Sequence, residues 1–391
     1  MREKWILKNN KVTHFRYSRC TSFYIGSWQS WKKVKSAHNR LLSDEAVGLK
    51  IGLGFDLYSH DMSIADIAKI AMLAEHNGLD SIWMGQEALY RDVYQTLAII
   101  ASRTKKVQLG PSVINPYTTH PAVAAAATAT LDEISGGRSF HGFGPGGSSV
   151  LGMLGKPLWD RPLAHLREAV TVARLLFDGK RINFKGKTME LRDAYLAQPP
   201  KNHRIPIYLA VRGPKTEALA GELADGINLG APPLGFLQDA IRFAEPGLRK
   251  SGRRIKPGIF DLICSINLCI APRSEDALNY LLKDPALRFN FAVQIKDCNP
   301  YLLESANINP KMQRLIADTM IKHGEIAASR LITPELARPF AIVGTPEQCS
   351  EQILAYQRNG ATRVNLFQPY GPNIGEALSL LGEKVIPTLS A

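Results

Sequence analysis

Residues 130–147 read Thr-Leu-Asp-Glu-Ile-Ser-Gly-Gly-Arg-Ser-Phe-His-Gly-Phe-Gly-Pro-Gly-Gly. A helix end rich in acids passes through Gly136-Gly137 into a short apolar strand, and the strand empties into the run Gly142 to Gly147. Positions 142, 144, 146 and 147 carry no side chain, so main-chain N–H groups there can approach a flat or charged ligand with no Cβ in the way. An ordinary flexible loop is the other use of such a cluster.

Outward from this stretch, short apolar runs alternate with helical patterns. Leu49 to Phe55 reads as a strand. Ser63, with Asp66 three residues later, then caps an amphipathic helix that closes at Asn77-Gly78. The same unit recurs with strands at Ser81–Met84, Val107–Ile114, Ser139–Phe143, Ile207–Val211, Ile227–Leu229 and Leu262–Ile270, each followed by a helix. The helix Pro346–Arg358 precedes a last strand at Val364–Phe367. Regular β-α alternation forces parallel strands covered by helices, and eight such units close most naturally into a (β/α)8 TIM barrel of α/β class, with an open doubly wound sheet as the alternative. Two regions interrupt the rhythm as insertions after strands 4 and 7. Residues 179–204 contain Phe184-Lys185-Gly186-Lys187, which suits a small hairpin, and residues 283–340 are too long for a simple connection and read as a helical insertion over the barrel mouth.

The 391 residues are 45% hydrophobic, enough for one large core. No apolar run approaches the ~18 residues of a membrane span. Five cysteines without a C-x-x-C pair suit a reducing, cytoplasmic compartment. The net charge of +13 resembles a nucleic-acid signature until it is divided: residues 1–48 hold ten bases against three acids. The basic character is thus mainly that of a segment, 1–47, which reads as a poorly ordered extension of a domain spanning 48–391. No nucleic-acid or membrane partner is expected, and no H-x-x-x-H, H-E-x-x-H or clustered Cys/His suggests a metal.

Two further segments reach the same end of a barrel, where loops follow the strands. Leu109 to Tyr117 is dense in turn formers. Tyr208-Leu209-Ala210-Val211-Arg212-Gly213-Pro214-Lys215 joins a strand directly to a helix, whose free N–H groups, dipole and neighbouring bases Arg212 and Lys215 make a physical anion site. Asp132, Glu133 and Arg138 fall instead at the opposite, stability face. His141 reads as a core histidine, and His120 belongs to the helix entry at Pro121.

Taken together, Leu131-Asp132-Glu133-Ile134-Ser135-Gly136-Gly137-Arg138 with its glycine run, Arg91-Asp92-Val93-Tyr94, Val113-Ile114-Asn115-Pro116-Tyr117, and Arg212-Gly213-Pro214 with Ala224-Asp225-Gly226 resemble the bacterial luciferase-like superfamily. Within it the resemblance is fullest to the methylene-tetrahydromethanopterin reductase branch. It implies a TIM-barrel oxidoreductase that binds coenzyme F-420, a deazaflavin, or FMN, acts on a small-molecule substrate, and forms a homodimer as many members do. It also implies a cis Ser112-Val113 peptide backing the ring. The cofactor is expected against Ser112, Val113, Asn115, Gly142, Gly144, Gly146 and Gly147, with its phosphate at Arg212, Gly213 and Lys215.

The sequence departs from that branch where Gly54 replaces a carboxylate, where Gln86-Glu87 replaces an Asp-His pair, and where Gly147 replaces an acid. Glu87 and Asp56 are then the candidate catalytic carboxylates. The leading reading is hydride transfer between reduced F-420 and an organic substrate. An FMN-dependent monooxygenase and a non-catalytic flavin-binding barrel are the alternatives.

Overall fold

A computed structural model describes residues 48–56, 62–86, 89–146, 151, 154–155, 160–200, 204–283 and 285–389. The expectations for residues 1–47, Glu87 and Gly147 lie outside the described residues.

The chain begins with β1 (Lys50–Phe55) and α1 (Ile64–His76), followed by β2 (Ser81–Met84), α2 (Val93–Arg103), β3 (Gln108–Pro111) and α3 (Pro121–Ser135). Next come β4 (His141–Phe143), α4 (Pro162–Phe177) and an antiparallel hairpin of β5 (Ile182–Lys185) and β6 (Glu190–Ala194). The alternation resumes with β7 (Ile207–Ala210), α5 (Pro214–Leu223), β8 (Gly226–Gly230), α6 (Phe236–Ser251), β9 (Asp261–Ile270) and α7 (Ser274–Lys283). A helical run follows: α8 (Pro285–Lys296), α9 (Pro300–Ser305), α10 (Pro310–His323), α11 (Glu325–Ser329) and α12 (Pro334–Ala337). The last elements are β10 (Ala341–Gly344), α13 (Pro346–Arg358), β11 (Arg363–Tyr370), α14 (Ile374–Leu380), a π-helical turn (Leu381–Val385) and α15 (Ile386–Leu389). Among the described residues no helix is long and apolar enough to cross a membrane.

Local chemistry accounts for the helix ends. The Ser63 hydroxyl accepts the Asp66 N–H at 3.1 Å to open α1, and Thr345 with Gln348 forms a full capping box on α13. The His120 ring takes the Ala122 N–H at 3.2 Å at the start of α3. Gly136, at φ 73°, ends that helix in the left-handed conformation that a side chain resists.

Eight strands hydrogen-bond in the order β3-β2-β1-β11-β9-β8-β7-β4, all parallel. The two ends of that path meet through bridges between Leu109 and Ser139 and between Ile114 and Phe143, which closes the sheet into a barrel. Five residue steps on the β3 side span four on the β4 side, so β3 carries a bulge at Pro111 to Val113. The Ser112-Val113 peptide within it is cis. Strand β10 was not anticipated: it pairs with β9 outside the barrel path, and its four residues carry no periodicity that local reading could register.

Alternate residues of each strand face opposite ways. On β1, Ile51, Leu53 and Phe55 join the layer between sheet and helices, with Ile67 and Ala71 of α1. Gly52 and Gly54 face the interior, where Trp83, Phe140, Tyr208, Ile263 and Phe367 form a separate cluster. Trp83 lies 4.0 Å from Phe140 and 5.3 Å from Tyr208, centroid to centroid. Large rings on some strands thus interlock with glycines on others, as the narrow interior of an eight-stranded barrel demands. Below them, Arg363 donates to the Ser81 hydroxyl at 2.6 Å and to the Gln108 side-chain oxygen at 3.2 Å, and the Tyr208 hydroxyl donates to Asp261 at 3.1 Å. These hydrogen bonds tie the barrel floor together, and Arg363 Nε is left buried without a partner among the described residues.

A Cβ at Gly110 would collide with both the carbonyl oxygen and the ring of Phe140. Gly110→Ala is therefore expected to destabilise the fold by about 1–3 kcal/mol through overpacking against backbone. An unchanged thermal or urea midpoint would show instead that the interior yields.

Candidate functional site

The C-terminal strand ends surround a cavity of about 290 Å³, near the small end of the range for ligand clefts (~300–1,000 Å³). Asp56 follows β1, Ser112 sits on the β3 bulge, Ala210 ends β7 with Arg212 two residues on, and Asn228 and Gly230 end β8. Ser265, Asn267 and Phe367 come from β9 and β11, while Asn290 and Gln294, one turn apart on α8, reach in from the helical insertion.

The floor is uncharged and internally bonded. Asn365 donates to the Ser265 hydroxyl at 3.2 Å, Ser265 donates to the Asn228 oxygen at 2.7 Å, and the Asn228 amide donates to the Ser112 hydroxyl at 3.0 Å. Asn267 donates to the Gln368 carbonyl at 2.6 Å. Among the described lining residues the charges are Asp56 and Arg212. Arg212 is exposed and has no hydrogen-bonding or ion-pair partner among the described residues. Ala231, beside it, holds φ at 42°, a left-handed backbone unusual for a residue with a Cβ.

The anticipated cofactor residues take several different positions. Ser112 and Arg212 line the cavity. The spaces that Gly142 and Gly144 leave are filled by the protein itself: a Cβ on Gly142 would meet the Pro111 carbonyl and Val113, and one on Gly144 would stand 2.6 Å from Val113 and 3.1 Å from the Ala210 oxygen. These glycines and Val113 therefore seat the bulge, and the bulge presents Ser112. Asn115 is buried, donating to the Pro145 carbonyl at 3.0 Å and accepting the Tyr117 N–H at 2.9 Å. A Cβ on Gly146 would lie 2.6 Å from its amide nitrogen. The Asn115-Gly146 contact ties the two loops together.

Lys215 lies apart from the mouth cavity. It lines an outer groove of about 670 Å³ together with Arg167, Lys187 and Lys250, because the first turn of α5 rotates it away from Arg212. The Gly213 N–H is already engaged, donating to Glu217 Oε1 at 2.9 Å. Free donors at this helix start are thus the N–H groups of Lys215 and Thr216.

Of the catalytic candidates, Asp56 lines the cavity, and its N–H donates a long hydrogen bond to the Gln368 side-chain oxygen at 3.4 Å. The missing carboxylate at position 54 has a steric reason: a Cβ on Gly54 would run into the ring of Phe367. The neighbouring Gln86 donates to the Thr119 hydroxyl at 3.4 Å.

The residues assigned to scaffold behave as such. Arg138 donates to the carbonyls of Ala101, Thr104, Val107 and Ser135 at 2.7–3.0 Å, neutralising the end of α2. Asp132 receives the Ser139 hydroxyl at 2.8 Å. His141 is fully buried beside Thr128, at 2.7 Å, and burial pushes its imidazole down to about 3.

Asn228, Ser265, Asn267, Asn290, Gln294 and Phe367 were not anticipated as site residues. The signal for the strand residues was present: a buried parallel strand reads as nearly continuous apolar sequence, and Asn228, Ser265 and Asn267 break that run on the face turned to the interior.

Glu217 makes a titratable link between fold and site. Its second carboxyl oxygen is buried without a partner among the described residues. Burial, aided by the charge of Asp239 and opposed by the Gly213 N–H, pushes its carboxyl up to about 8. A raised carboxyl pKa means stability that is fully present below the ordinary carboxylate range and lost as pH rises toward 8. Glu217→Gln, which keeps the acceptor for Gly213, is expected to exceed wild type in urea midpoint at pH 8 and to match it near pH 4.5. An equal difference at both pH values would remove the ionisation argument.

The sequence profile of the luciferase-like monooxygenase family matches residues 46–363. The 5,10-methylenetetrahydromethanopterin reductase of Archaeoglobus fulgidus is 30% identical over 345 residues, covering 87% of this chain and all of that protein. An F420-dependent glucose-6-phosphate dehydrogenase of Nakamurella multipartita is 28% identical, covering 87% and 97%. The solved coenzyme F420-dependent tetrahydromethanopterin reductase of Methanopyrus kandleri superposes with a TM-score of 0.79 at 26% identity, covering 88% of this chain and 100% of that one. With this barrel, its bulge and its mouth, the chain belongs to the bacterial luciferase-like family of flavin- and deazaflavin-dependent oxidoreductases.

Proposed function

We propose that the protein binds coenzyme F-420 at the barrel mouth and catalyses hydride transfer to or from a small organic substrate, in the manner of the methylenetetrahydromethanopterin reductases it is similar to. The observation that carries this reading is the charge layout of the mouth. An uncharged, hydrogen-bonding floor suits a neutral heterocycle, and Arg212, the one guanidinium among the described lining residues and without a partner among them, stands where the floor meets the start of α5. That is the pattern a ring with a phosphate-bearing side chain requires. When bound, the deazaflavin supplies the hydride chemistry, and the protein supplies position and electrostatics.

Arg212 and the N-terminal N–H groups of α5 hold the anionic end. The β3 bulge with Ser112 supports the ring from the barrel side. Asn290 and Gln294 of α8 close over the cavity from above, restricting water. Asp56, the carboxylate at the mouth among the described residues, is the group placed to give or take a proton at the reacting end, with Glu87 as a second candidate from the sequence. The reading as an FMN-dependent monooxygenase shares the same floor and phosphate handle, so a direct titration decides between them.

Titration of the purified protein with F-420 and with FMN, followed by visible absorbance, is expected to give the tighter binding for F-420. Tighter FMN binding with oxygen consumption would replace this reading by the monooxygenase one. Arg212→Ala is expected to weaken cofactor binding by tenfold to a hundredfold, the loss of about 1.5–3 kcal/mol of charge-assisted hydrogen bonding, with little change in melting temperature. Equal loss of both would remove the phosphate assignment. Asp56→Asn is expected to slow single-turnover oxidation of the reduced cofactor at least a hundredfold while leaving its affinity intact. An unchanged rate would exclude Asp56.

A further inference from the structure

We infer that Ser112 is a dedicated hydrogen-bond donor to an acceptor atom of the bound cofactor ring, fixed in that role by a one-way relay running from Asn365 through Ser265 and Asn228 across four strands. The inference rests on the mouth being a flavin-type site.

The direction follows from distances and from the donor inventory of each group. The Ser265–Asn228 separation of 2.7 Å suits an O–H···O bond, and the Asn228–Ser112 separation of 3.0 Å suits N–H···O. Asn228 therefore presents its oxygen to Ser265 and its NH₂ to Ser112. Ser265 accepts from the Asn365 NH₂ at 3.2 Å and gives its only proton to Asn228. Asn365 is fully buried, and its oxygen, which has no hydrogen-bond partner among the described residues, sits where a Cβ on Gly52 would have to go.

Each member thus donates one hydrogen bond to the next. A serine hydroxyl has one proton and two lone pairs, and Ser112 receives from Asn228. Of the two hydroxyl protons in the relay, that of Ser265 is spent on Asn228 and that of Ser112 is left uncommitted, and Ser112 lines the mouth cavity. Asn228 is 3% exposed, so water does not compete for the link that orients Ser112. An unpaired polar group is costly in such low-dielectric surroundings, and the Ser112 proton is completed by a ligand acceptor such as a ring carbonyl or an unprotonated ring nitrogen. Ser112 touches the ring. Asn228, Ser265 and Asn365 are positioning residues.

The test uses the full chain and two probes, F-420 and FMN, with affinity and the visible absorption maximum of the bound ring as readouts. Ser112→Ala is expected to weaken binding of the preferred probe about tenfold, the worth of one hydrogen bond of about 1.4 kcal/mol. It should also move the bound ring's absorption maximum toward its position in water, while Ser112→Thr restores both. Asn228→Asp, whose carboxylate cannot donate, should draw the Ser112 proton to itself and reproduce the Ser112→Ala spectrum in a protein that still folds by circular dichroism. If Asn228→Asp does not fold, the Ser112→Ala and Ser112→Thr pair decides alone. Wild-type affinity and spectrum in Ser112→Ala would overturn the proposal while leaving the cofactor reading intact. Failure of wild-type protein to bind either probe would remove the cofactor reading, and this inference with it.

Discussion

The junction of β3 and β4 is the constraint on which the barrel and its mouth both depend. An eight-stranded barrel needs its first and last neighbours in the hydrogen-bonding path to meet, and here they meet with one residue too many on one side. The surplus is absorbed by the bulge at Pro111 to Val113. That bulge fits only because Gly110 faces Phe140 without a Cβ, and because Gly142 and Gly144 leave room for Pro111 and Val113. Closure and site are therefore one event: the residues that let the sheet close are those that push Ser112 into the cavity.

A second consequence concerns charge. A buried ion without a partner is costly, so a site inside a barrel must be built from neutral groups or from satisfied pairs. This interior uses both solutions at different depths. At the base, Arg363 and Asp261 are hydrogen-bonded to Ser81, Gln108, Tyr208 and Thr362. At the mouth, amides and hydroxyls form an uncharged floor, and the charges among the described lining residues are Asp56 and the exposed Arg212. Phe367, covering Gly54, removes the room for a carboxylate at that position.

Much of this was legible locally. The β-α alternation, the Ser63–Asp66 cap, the hairpin around Lys185 and the helical character of residues 285–337 follow from patterning and capping chemistry that act within one or two turns. The scaffold role of Asp132 and Arg138 followed from their place at the end of a helix that feeds a strand. The site was legible only where a residue's environment is set by its own neighbours, as with Arg212 leaving β7. The glycine run pointed to a close approach, yet the approaching group turned out to be the β3 bulge, some thirty residues earlier in the chain. Lys215 stands three positions from Arg212 and still lines another groove, because a single helical turn redirects a side chain by a large fraction of a circle.

The sequence by itself determined the class of the fold and the end of the barrel that must carry the chemistry, because hydrophobic period and strand-to-helix order leave few topologies open. The tertiary structure alone decided which polar side chains share the mouth. Asn228, Ser265 and Asn365 belong to strands far apart in sequence, and the hydrogen bonds that orient Ser112 exist only once parallel register has set those strands side by side. No local rule contains that register: it is fixed by which faces can be buried together, which only the closed barrel settles.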